Sequence, residues 1–276
     1  MSEINQGYHA LQYSIQPCAK IGTDFYPMEK TSKIAYRMID LQEILTKSFD
    51  TALTLFSSQI KELVLMIEST RFFCVSFPLF FGDKSGKSFF ENKTILQCAE
   101  KISITSHLAL KTIFGADRLG LIRLGTIATY AIGYMPIFKW ALEGTIMLYN
   151  FFGSWEGWRK LTDAKAKLQI ACKKIEKWTQ RLANPIAIQN DCEKNCFKQR
   201  KWETIKSNLE LDRTRAWFKI AATLSKFILI AFAVFLAATN IWNVTCHLTI
   251  LSLGIFSDAV GLTGFFHQEY YPPINF

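Results

Sequence analysis

Apolar residues recur every three or four positions from Ile34 to Ile67, through Met38, Leu41, Leu45, Phe49, Leu53, Phe56, Ile60 and Leu63. That spacing places them on one face and predicts a single long amphipathic helix beginning at Thr31. Asp40, Glu43, Lys47, Lys61, Glu62 and Glu68 fall mostly off the stripe, so the helix is too charged to span a bilayer. Residues 1–30, interrupted by Pro17, Gly22 and Pro27, read as an irregular arm. Arg71–Phe81 is a short apolar run containing Pro78, followed by a loop at Gly82–Ser88. A second helix is expected from about Phe90 to Ile113, with Gly115 ending it.

Two later blocks are more hydrophobic. Leu119–Phe152 is interrupted by Arg123, Pro136, Lys139 and Glu143 and contains Gly120, Gly125 and Gly133. It is long for one crossing and short for two, and so predicts one kinked or re-entrant element. Residues 216–266 hold only Lys219, Lys226 and Asp258 as charged groups, and Phe227–Ser257 holds none. A crossing needs about 20 apolar residues. Trp217–Thr239 and Val244–Phe266 each suffice, with Asn240–Asn243 as a polar turn. Within the second, Gly254, Ser257, Gly261 and Gly264 form a small-residue seam suited to close helix packing.

Between the blocks lies a heptad: Leu161, Ala164, Leu168, Ala171, Ile175, Trp178 and Leu182 alternate steps of three and four. Pro185 ends it. A second basic helix from about Asp191 to Arg215 could fold back on the first.

Charge sharpens this division. The net charge is +9, and residues 159–215 carry 15 Lys and Arg against 7 Asp and Glu, whereas residues 1–118 carry 13 against 12. A basic stretch between hydrophobic blocks is where a cytoplasmic loop carries its excess. Arg159, Lys160, Lys165, Lys167, Lys173, Lys174, Lys177, Arg181, Lys198, Arg200 and Lys201 are the candidate contacts to anionic lipid or a partner helix. No nucleic-acid motif accompanies them. Seven cysteines at irregular spacing do not form a disulfide framework and suit a reducing compartment. The first 30 residues lack the basic start and apolar core of a cleavable signal peptide.

Candidate chemistry is sparse. Gly82-Asp83-Lys84-Ser85-Gly86-Lys87-Ser88 is one residue short of a phosphate-binding loop, so an ordinary turn is expected. Cys192 and Cys196 have no histidine near them in sequence, too few donors for zinc. His247 and Asp258 share a face of the last span. No catalytic constellation, metal site or cofactor motif is present.

The order of amphipathic helices, then Arg123-Leu124-Gly125, a basic segment, and a terminal block with Gly254, Ser257, Gly261, Leu262 and Gly264 resembles the layout of the peroxisome-elongation peroxins. That resemblance implies helices that bind and curve membranes. The paired terminal spans separately resemble the bilobed hydrophobic domain of bacterial inclusion-membrane proteins, which implies cytoplasmic helices presented to host partners.

The sequence therefore predicts an all-α, multi-pass integral membrane protein, ending in a two-span hairpin and carrying amphipathic extramembrane helices. Its expected regions are 1–30, 31–118, 119–152, 159–215 (cytoplasmic), 216–266 and a tail at 267–276. The function expected is non-enzymatic: shaping membrane or scaffolding partners through the basic segment, with anionic lipids, partner helices or a second copy as partners and no nucleic acid. The alternative is a small transporter or channel component using Arg123, Lys139, Glu143, His247 and Asp258.

Overall fold

The computed structural model describes residues 25–274 apart from 48–49, 82–89, 91–92, 119, 124, 126–130, 133–134, 184–187 and 242. Six helices carry the described residues: α1 (25–46), α2 (Thr51–Phe81), α3 (Ile95–Arg118), α4 (Ile137–Leu182), α5 (Ile188–Thr239) and α6 (Val244–Tyr270). The only extended pairing among them joins β1 (Ala131–Ile132) to β2 (Met135–Pro136), antiparallel, with Ala131 opposite Pro136. The chain is helical, as its periodicities require.

The long helix expected from Thr31 is instead two antiparallel helices. Lys47 adopts φ 52° and ends α1; the Asp50 carboxylate then accepts from the Ala52 N–H at 2.9 Å and starts α2, the role of an N-cap. The apolar stripe stays in phase across this turn, which hides it from a periodicity argument. α1 also takes in residues 25–30, expected to be irregular. Pro27 lies in its first described turn, where a missing N–H is tolerated. The rest of that arm and the Gly82–Ser88 loop lie outside the described residues.

The second helix starts and stops later than expected, for local reasons. Thr94 and Gln97 cap each other, Thr94 N–H donating to the Gln97 side chain at 3.0 Å and Gln97 N–H to the Thr94 hydroxyl at 3.3 Å, a capping box. Gly115 does not end α3. It is buried, and a Cβ there would lie 3.3 Å from Leu65 on α2, so it permits close approach. The helix ends at Gly120 (φ 72°), whose N–H reaches Asp117 O while Leu121 N–H reaches Ala116 O, a Schellman closure.

The Leu119–Phe152 block is not one element either. Its second half opens α4, which runs without interruption from Ile137 through the basic heptad to Leu182. α5 likewise joins the second basic segment to the first hydrophobic stretch of the terminal hairpin. That hairpin turns at Asn240 (φ 54°), and Asn243 caps α6 by accepting from Cys246 N–H at 2.8 Å.

Neighbouring helices run antiparallel in a closed ring. α1 meets α2 through Thr54–Glu43 and Ser57–Asp40. α3 meets α4 through His107 and the Leu142 carbonyl, 3.1 Å apart. α4 meets α5 through Ser154 and Thr223, 2.8 Å apart, and α5 meets α6 through Ser257, which donates to Ala222 O at 3.2 Å. α6 returns to α1, where Arg37 donates to Gly254 O at 2.7 Å.

α4 and α5 have the most extensive contact, and their far halves continue beyond the ring as a helical hairpin. Leu161, Ala216 and Ile220 form its buried base. The heptad seam faces inward: Leu161, Ala164 and Ala171 are buried, and Leu168, Ile175, Trp178 and Leu182 are half-buried. Near its foot Gly157 fits tightly, since a Cβ there would lie 2.8 Å from Ile220 Cγ1, whereas Gly144 has nothing within 4 Å. Gly157→Leu is expected to lower stability by about 1–3 kcal/mol by forcing α4 and α5 apart. Gly144→Ala should be neutral or gain up to about 1 kcal/mol. Thermal unfolding of the two purified variants compares them.

Candidate functional site

The buried chemistry begins on α1. Glu29, Lys30, Lys33 and Arg37 step by one, three and four and so share one helix face. That face would ordinarily be solvated; here it points into the ring. Lys30 donates to Asp258 of α6 at 2.6 Å, and Arg37 pairs with the same carboxylate. Lys33 bridges Glu29 at 2.5 Å and Glu68 of α2 at 2.6 Å. Lys111 of α3 reaches Glu68 at 2.6 Å, and Arg71 of α2 pairs with Glu29. Glu29, Lys30, Lys33, Glu68 and Asp258 are between 0% and 6% exposed. Charges so far from water persist only when paired, and this network supplies the pairs.

The network surrounds a cavity of about 340 Å³ whose walls come from all six helices. Among the charged side chains at this centre are Lys30, Lys33, Arg37, Arg71, Lys111 and Lys226, set against Glu29, Glu68, Glu143 and Asp258. Six cations thus face four carboxylates. Lys226 makes no ion pair or hydrogen bond among the described residues, and the Arg71 Nε is buried without an acceptor.

The surface is arranged the opposite way. Leu224, Ile228 and Phe235 of α5, Phe256 of α6 and Leu148 of α4 are 47–57% exposed. α5 and α6 are long and apolar enough to cross a membrane, and the rest of the chain buries only 28% and 22% of their apolar stretches. Where the ring ends and the α4–α5 hairpin emerges, Trp155, Trp158, Trp217, Tyr270 and Tyr271 are exposed. Comparison with known protein families, curated proteins and solved structures found no match. The chemistry of the chain has to be read from its own geometry.

The basic residues named from sequence all lie on the projecting hairpin. All are exposed except Lys198, which is half-buried. Arg181 and Lys198 each stand 4.7 Å from the Trp178 ring, and the second of these cation–π contacts joins α5 to α4. Arg159 bonds Glu156 at 3.0 Å and Lys167 bonds Asp163 at 2.7 Å, leaving most of the others to face solvent. The small-residue seam is occupied within the chain: Gly254 by Arg37, Gly261 by the Tyr26 hydroxyl and Gly264 by Phe218.

Of the five ionisable residues named for transport, the structure brings Glu143 and Asp258 to the central cluster. Arg123, Lys139 and His247 are exposed elsewhere. Cys196 is a free thiol, and the side chain of Cys192 lies outside the described residues. Glu29, Lys30, Lys33, Arg37, Glu68, Arg71 and Lys111 were missed because each looks like an ordinary charge of an amphipathic helix. One sequence signal was available: Asp258 and Lys226, lone charges in apolar surroundings, need partners from another segment.

Proposed function

We propose that the chain is an integral membrane protein whose six-helix ring lies in the bilayer and whose basic α4–α5 hairpin stands in the cytoplasm as a scaffold for an anionic surface. The observation that carries this reading is the polarity of the ring, with a cluster of paired charges buried at its centre and large leucine, isoleucine and phenylalanine side chains exposed on the outer faces of α4, α5 and α6. In water that arrangement forfeits hydrophobic burial; in hydrocarbon it satisfies both faces. The exposed tryptophans and tyrosines at the foot of the hairpin match an interfacial belt. The excess of Lys and Arg on the hairpin supports a cytoplasmic side for it under the positive-inside rule.

The geometry changes what the basic segment is suited to do. Its apolar seam is used against α5, which leaves little to bury in a membrane surface. Residues 159–182, the last 24 of α4, rise about 36 Å at 1.5 Å per residue. Charges near its tip are then far beyond one Debye length, about 8 Å, from the membrane that holds the ring. They face a second surface, for which an apposed anionic membrane is the simplest partner.

Full-length protein in neutral vesicles is expected to cluster vesicles containing anionic lipid, and to release them at high salt. Replacing Lys173, Lys174, Lys177 and Lys198 with Gln should remove most of that clustering, each charge contributing about 1 kcal/mol. Clustering that is absent, or indifferent to salt and to these changes, would contradict the proposal. Light scattering reads the result.

A further inference from the structure

We infer that the central cavity is a binding site for a small oxyanion of charge about −2, with phosphate or a phosphate-bearing headgroup as the fitting chemistry. The inference does not depend on what the hairpin does. It rests on an imbalance: among the described residues six basic side chains face four carboxyl groups at this centre, two more than can be paired one to one. Two donors lack a hydrogen-bond acceptor among the described residues: the Lys226 ammonium, which meets Asp258 only at longer range, and the buried Arg71 Nε. Buried donors without acceptors are costly, and Lys and Arg together form the usual recognition set for phosphate oxygens.

The size agrees. About 340 Å³ corresponds to roughly ten waters at 30 Å³ each, enough for a phosphate and part of its hydration or for the head of a phosphate monoester. The paired residues hold the site open. Asp258 engages Lys30 and Arg37, and Glu68 engages Lys33 and Lys111, so their charges cannot collapse onto the remaining cations. Lys226 enters from the apolar stretch of α5, where a lone ammonium is otherwise unfavourable.

The test is thermal unfolding of the detergent-solubilised full chain, titrated separately with inorganic phosphate, with phosphatidic acid and with chloride at matched ionic strength. Saturable stabilisation by phosphate or by phosphatidic acid, but not by chloride, is expected. The oxyanion that acts distinguishes a free ligand from a lipid headgroup. Lys226→Met should weaken the apparent affinity at least about tenfold while leaving the protein without anion as stable as before or more so. Arg71→Gln should weaken affinity in the same direction. Neither oxyanion giving a saturable shift, or both variants retaining the parent affinity, would overturn the assignment. So would a Lys226→Met chain that does not fold, because it would show the lysine already compensated.

Discussion

Asp258→Ala is expected to be among the most destabilising single changes in the chain, at about 3–5 kcal/mol. The carboxylate is fully buried and is the shared acceptor of Lys30 and Arg37. Removing it leaves Lys30 and Arg37 without the carboxylate that they share. It also unties α1 from α6, the contact that closes the ring. The loss should be largely recovered by Lys30→Met and Arg37→Leu in the same chain, because an apolar replacement of a complete buried ion cluster is often neutral whereas a broken one is not. Unfolding followed by tryptophan fluorescence in detergent measures both. An Asp258→Ala chain within about 0.5 kcal/mol of the parent would mean that the pairs contribute nothing to closure.

Glu68→Gln is expected to have a comparable effect, again about 3–5 kcal/mol, through the other side of the ring. Glu68 is the acceptor common to Lys33 of α1 and Lys111 of α3. Lys33 keeps Glu29 as a partner at 2.5 Å; no other ion pair is recorded for Lys111 among the described residues. Adding Lys111→Met to Glu68→Gln should therefore restore more stability than adding Lys33→Met. Denaturation of the two double variants compares them directly, and an equal or reversed order would show that the two lysines are not held as the geometry indicates.

These expectations lie on side chains whose role the sequence conceals. Lys33 and Glu68 are 35 residues apart, and Lys30 and Asp258 are 228 apart, so no local pattern joins them. The α1 face that carries Glu29, Lys30, Lys33 and Arg37 has the periodicity of any solvated helix face. Only the closing of a ring makes it an interior. The same long-range packing explains Gly115, which in sequence is a helix terminator and in the structure a point of approach to Leu65.

Features written in local composition were legible. The turn at Asn240–Asn243 separates α5, ending at Thr239, from α6, beginning at Val244, where the charge-free run and its polar interruption predict it. The heptad was readable too, and so was the possibility that the second basic segment folds back on it: the seam packs against that segment within α5. Which partner covers the amphipathic region 31–118 was not legible. α1, α2 and α3 stand in the same ring as α5 and α6, because their buried charges find partners there.

Depth-sensitive labelling tests the polarity of the ring most directly. Nitroxides attached at I228C, F256C and K173C in vesicle-reconstituted protein report collision with oxygen, which concentrates in hydrocarbon, and with a water-soluble nickel complex. The account predicts that positions 228 and 256 meet oxygen and not nickel, while position 173, on the basic hairpin, meets nickel. Nickel access at 228 and 256 equal to that at 173 would place the apolar exterior in water and contradict the account.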